Sequence, residues 1–132
     1  MKATEMPALY VRKVRGMGRG VFAGRAFRKG EVIEVCPVIR LPAASEGAVG
    51  GGLEHYVFKW GAGGLELAVA LGYGSLYNHS PSPNARFTPR TTQDDVVFRA
   101  ARDIAAGEQI LIDYEWDESD YEMFKQPAQP PT

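Results

Sequence analysis

Hydrophobic residues along this chain recur in short bursts, often alternating with polar ones, and glycine or proline turns separate the bursts. Runs rich in Val, Ile, Tyr and Phe predict strands at residues 9–14, 21–23, 32–37, 56–60, 65–70, 86–88, 96–100 and 109–113. Nowhere does an apolar i, i+3, i+4, i+7 spacing persist for the roughly eleven residues an ordinary helix needs. The pattern therefore predicts a mainly β protein with at most one helical turn. Residues 43–52 are small and polar and end in three glycines, which reads as a flexible insertion. Residues 126–132 hold three prolines and read as a frayed tail.

Composition narrows the class. With 132 residues, 45% of them hydrophobic, the chain has the length of one domain and enough apolar side chains for a core. Fifteen glycines and nine prolines suit many short elements joined by tight turns. A single cysteine, Cys36, rules out an internal disulfide and any multi-cysteine zinc cluster, and reads as a buried, inert thiol. Residues 1–10 lack the apolar stretch of a secretory signal, and no run approaches the ~20 residues that span a bilayer. A soluble intracellular protein is the expectation: cytoplasmic if the source is bacterial, with a nuclear or host-targeted location left open.

The formal net charge of -1 offers nucleic acid and anionic membranes no general attraction, so neither is an expected direct partner. It hides an asymmetry, however. Residues 1–40 carry nine Lys/Arg and three Asp/Glu, net +6, whereas residues 41–132 carry six and thirteen, net -7. The acidic excess is densest in Asp113, Glu115, Asp117, Glu118, Asp120 and Glu122. Such a run is ordinarily a solvated face, and it also suits a basic peptide.

Three clusters carry candidate chemistry. Gly16-Met17-Gly18-Arg19-Gly20 precedes Val21-Phe22-Ala23, so Gly18-x-Gly20-x-x-Ala23 formally matches a dinucleotide-binding turn. A Rossmann turn must open a helix, and here a strand follows, which excludes that reading. A hairpin turn, or a loop whose backbone approaches a ligand closely, remains. The second cluster runs from Gly72 through Asn78-His79-Ser80 to Pro83-Asn84, where two prolines fix a non-helical loop. Its Asn and His can hydrogen-bond to backbone or to ligand. No metal-ligand spacing links His79 to His55 or Cys36, so no metal is expected. The third cluster, Gly107-Glu108 followed by Asp113-Tyr114, places a carboxylate and a phenol at the end of an apolar strand.

In this order, the three clusters resemble the signatures of the SET-domain lysine methyltransferases, from about residue 9 to 116. The resemblance includes short viral members that are little more than a bare core. It implies small β-sheets around a C-terminal pseudoknot, the β-clip arrangement, in a single domain over residues 1–125. That domain would have its core at 9–116 and a closing tail at 117–125. S-adenosylmethionine would lie on one face and a lysine of a basic protein, histone-like or other, would enter from the other. Position by position, Met17, Gly18, Arg19, Gly20, Tyr77, Asn78, His79 and Trp116 would hold the cofactor. Tyr114 would be the catalytic tyrosine, with Tyr56 beside it. Tyr73, Ile112 and Trp116 would line the lysine channel. Ile112 stands where the family usually has Phe or Tyr, which implies a roomier channel. The cysteine-rich flanking segments of larger members are missing, so Trp116, Tyr121 or Phe124 would close the channel, and a homodimer could complete the surface. The alternative is a SET-like module that binds basic peptides without catalysis.

Overall fold

The computed structural model describes residues 7–41, 56–61 and 66–115. Nine strands form two sheets, and no α-helix occurs among the described residues. The strands are β1 (Leu9–Val14), β2 (Gly18–Ala23), β3 (Val32–Leu41), β4 (Val57–Trp60), β5 (Glu66–Ala70), β6 (Asn78–His79), β7 (Ala85–Arg90), β8 (Asp95–Ala100) and β9 (Gln109–Ile112). One sheet has the order β1-β2-β9-β6, the other β4-β5-β3-β8-β7.

The differences from the sequence pattern have local causes. Strand β2 begins at Gly18, three residues before the apolar run, because the hairpin pairs Val14 with Gly18 and Lys13 with Arg19. Only Arg15, Gly16 and Met17 remain as the turn, with Gly16 at φ +79°. Strand β3 continues past Pro37 to Leu41. Its first half pairs with β8 up to Pro37↔Asp95, and its second half pairs with β5 from Val38↔Ala70. Proline, which has no N–H to give a ladder, sits at the handover between the two partners. Pro89 is tolerated in β7 because that strand lies at the sheet edge. Residues 78–79, expected in an irregular loop, form a two-residue strand paired in parallel with Leu111 and Ile112 of β9. Tyr56, expected to begin a strand, lies in a single 3₁₀-type turn before β4. The stretch 43–52, the tail 126–132, His55, Trp116, Tyr121 and Phe124 fall outside the described residues.

The main core lies between the sheets and includes Val21, Phe27, Trp60, Tyr77, Val96, Phe98, Ile104, Ile110 and Ile112, all essentially inaccessible to solvent. Tyr77 and Phe98 pack with their rings tilted by 35° and centroids 4.7 Å apart, and Phe58 meets Phe87 edge-on at 5.1 Å. Such packing fixes the two sheets against each other, and with them the strand ends that carry polar side chains.

Cys36 is buried in this core as the sequence indicated. Its thiol is pushed up to about 12, chiefly by burial and secondarily by the neighbouring Glu34 carboxylate. The unfolded chain would release that proton near the ordinary value of 9.0. Stability from this group is therefore complete below pH 9 and is lost as pH rises from there toward 12. Burial also pushes the Tyr77 phenol upward, in the same alkaline direction. A thiol reagent at pH 8 should leave native protein unmodified and label it fully in denaturant. The denaturation midpoint should be lower at pH 10 than at pH 8, by a contribution of roughly 1 kcal/mol from Cys36. Rapid labelling of the folded protein would contradict this placement.

Candidate active site

The glycine hairpin, the Asn-His strand and the end of β9 meet because β9 lies between β2 and β6. Gly18, at φ +75°, has open space where a side chain would stand, so its backbone can be approached closely. Gly20 is glycine for another reason. A Cβ there would collide with Gln109 Oε1 and lie 2.9 Å from Asn78 Nδ2.

Asn78 Nδ2 spends its hydrogens on Gln109 Oε1 at 2.8 Å and on the Arg19 carbonyl at 3.1 Å. The amide is thereby oriented, and its Oδ1 is left as the acceptor facing away from those bonds. At the next position, His79 Nδ1 accepts the Tyr114 backbone N–H at 3.0 Å. That bond calls for the imidazole tautomer with its proton on Nε2, which is then available as a donor. The His79 and Tyr114 rings lie 5.0 Å apart between centroids.

Tyr114 is held from both ends. Asp113 Oδ1 accepts the Glu115 N–H at 2.8 Å, and Glu115 adopts φ +60°, so the chain turns sharply just after the tyrosine. The Tyr114 hydroxyl donates to the Tyr77 carbonyl at 2.8 Å. That bond commits the phenol hydrogen and fixes the direction of the hydroxyl.

Other expected residues take different positions. Tyr77 buries its ring in the core, with its hydroxyl donating to Glu34 Oε1 at 2.6 Å, so only its backbone is at hand for a ligand. Ile112 is likewise fully buried and packs in the main core rather than standing open. Tyr73 is half-buried, and its N–H donates to Glu34 Oε2 at 3.0 Å. Tyr56 is 48% exposed, and among the described residues no hydrogen bond or ring contact joins it to Tyr114. Met17 is 43% exposed at the hairpin tip, and Arg19 contributes its carbonyl to Asn78 while its side chain stays exposed.

Two signature residues prove to be braces. Glu108 accepts the Ala105 N–H and the Arg102 guanidinium, each at 2.8 Å, and these bonds hold its carboxyl below the usual carboxylate range, the arginine most strongly. Buried Asn84 clamps β9. Its Nδ2 donates to the Gln109 carbonyl and its Oδ1 accepts the Leu111 N–H, both at 2.8 Å. Gln109 and Glu34 escaped the sequence reading, since isolated polar residues in apolar strands carry no spacing signal.

Comparison with known proteins agrees with this geometry. The SET-domain family profile matches residues 18–115. A histone-lysine N-methyltransferase of Schizosaccharomyces pombe, specific for lysine 37 of H3, is 29% identical over 108 residues, covering 80% of this chain and 72% of its own. A Plasmodium falciparum crystal structure described as a candidate histone methyltransferase superposes with a TM-score of 0.66 at 30% identity, covering 83% of this chain and 98% of that one. A Neurospora SET-domain histone lysine methyltransferase shares the fold, with a TM-score of 0.64 at 18% identity over 85% of this chain and 53% of its own. The chain belongs to the SET-domain family.

Proposed function

We propose that the site where the glycine hairpin, β6 and the end of β9 meet binds S-adenosylmethionine, and that Tyr114 orients a lysine amine of a basic, histone-like protein for methylation. Family membership, together with relatives bearing histone-lysine methyltransferase names, makes the chain a lysine methyltransferase. The observation that carries the finer reading is the double anchoring of Tyr114, by His79 at its backbone and by Tyr77 at its hydroxyl.

The residues present fit the cofactor. The open backbone at Gly18 leaves room for its methionine portion, Asn78 Oδ1 suits its ammonium, and His79 Nε2–H suits an acceptor on its adenine. When bound, S-adenosylmethionine supplies a methyl group on a sulfonium, open to in-line displacement. The protein's part is positional. A lysine amine must be neutral to react, against a reference pKa of about 10.4, and a channel with apolar walls disfavours the ammonium. The Tyr114 oxygen can then accept an N–H from that amine, which turns the nitrogen lone pair along the reaction axis. The parallel pairing of β6 with β9 supports the pseudoknot of this reading.

Purified protein is expected to bind S-adenosylmethionine in calorimetry and to transfer labelled methyl to a lysine of a basic peptide. Cofactor binding without transfer to any of a broad panel of basic proteins would overturn the role given to Tyr114, whereas a module that only binds basic peptides has no reason to bind the cofactor. Absence of cofactor binding by folded protein would overturn the proposal.

A further inference from the structure

We propose that Glu34 is a positioning residue for methyl transfer, setting Tyr114 through Tyr77. This rests on the reading of Tyr114 given above and extends it to a residue on the other sheet. Glu34 belongs to β3, in the five-stranded sheet, whereas β6 and β9, which flank Tyr114, belong to the four-stranded one.

The carboxylate of Glu34 divides its two oxygens between two bonds. Oε1 accepts the Tyr77 hydroxyl at 2.6 Å, and Oε2 accepts the Tyr73 backbone N–H at 3.0 Å. The Tyr77 ring is rigid in the core against Phe98, so anchoring its hydroxyl also fixes its backbone, and the Tyr77 carbonyl is the acceptor for the Tyr114 hydroxyl. One carboxylate thus ties the turn that carries Tyr73 to the bond that orients Tyr114. The turn is shaped to admit it. A Cβ at Gly72 would lie 2.6 Å from Glu34 Oε2, and one at Gly74 would lie 2.6 Å from the Ala70 Cβ. Gly72 also holds φ +65°, so both the space and the backbone conformation favour glycine.

An amide cannot replace this carboxylate. Glutamine has one acceptor oxygen, so it leaves either the Tyr77 hydroxyl or the Tyr73 N–H facing an NH₂ group. A purely structural brace would weaken the fold when altered but leave turnover by the folded molecules unchanged. A positioning residue lowers kcat while cofactor binding stays the same, because misplacing a reacting group can cost up to about 10²-fold.

The test compares Glu34→Gln, Tyr77→Phe, Tyr114→Phe and Glu34→Gln/Tyr114→Phe, each at a temperature where circular dichroism shows it folded. Glu34→Gln should lower kcat by about 10- to 100-fold while its Kd for S-adenosylmethionine stays within about twofold. Tyr77→Phe, which removes one hydroxyl and serves if Glu34→Gln does not fold, should lower kcat in the same way. The double variant should turn over no more slowly than Tyr114→Phe alone, since both changes act through one hydroxyl. Unchanged kcat in folded Glu34→Gln or Tyr77→Phe, or losses that multiply in the double variant, would overturn the role of Glu34 while leaving that of Tyr114 standing. An unaltered rate in Tyr114→Phe would instead overturn the assignment of Tyr114, and the relay with it.

Discussion

Tyr114→Phe is expected to reduce methyl transfer by about 10²- to 10³-fold, the usual cost of deleting one hydrogen-bonding group aimed at a reacting centre. Phenylalanine keeps the ring that lies against His79 and the backbone N–H that His79 Nδ1 accepts. What disappears is the oxygen, whose hydrogen is committed to the Tyr77 carbonyl. The loss should fall on kcat, with cofactor affinity preserved, because Asn78, His79 and the glycine hairpin are untouched. Single-turnover kinetics with labelled cofactor would measure it. A variant that turned over at the parent rate would remove Tyr114 from the reaction.

The second large effect is on stability. Asn84→Ala should destabilise the protein by about 3 kcal/mol, measured by denaturant unfolding at neutral pH. The side chain is buried and bonds to the Gln109 carbonyl and the Leu111 N–H, so truncation strands two polar backbone groups in an apolar interior. Aspartate should not rescue it, since a carboxylate can accept from Leu111 but cannot donate to Gln109. A loss below about 1 kcal/mol would show that water satisfies those groups instead.

Much of this was legible from residue order because the relevant signals are local. Short apolar runs separated by turn residues mark β1, β4, β5, β8 and β9 to within about a residue or two. Asn78, His79 and Tyr114, singled out by motif, do meet in space. What could not be read is non-local. The parallel pairing of a two-residue strand with β9 depends on residues far apart in sequence, and nothing in Asn78-His79 itself announces a strand. Nor does the motif show how deep its members lie: the alternation of a strand turns Ile112 inward, and the Tyr77 hydroxyl meets Glu34 in the core. Pro37 gave the appearance of a strand end, whereas the strand merely exchanges partners there.

The central place of β9 has a consequence for how the molecule comes into being. Val21 pairs with Ile110, near opposite ends of the described chain, and the parallel partner of β9 is held by the same late strand. Closing so long a loop costs entropy before any contact repays it, so this pairing belongs to the slow, late part of folding. During synthesis, the residues that would grip a cofactor emerge early and stay unassembled until β9 arrives. The meeting of the glycine hairpin with Asn78 and His79 therefore cannot pre-exist in a chain that lacks β9, and activity would report on completion of the whole fold.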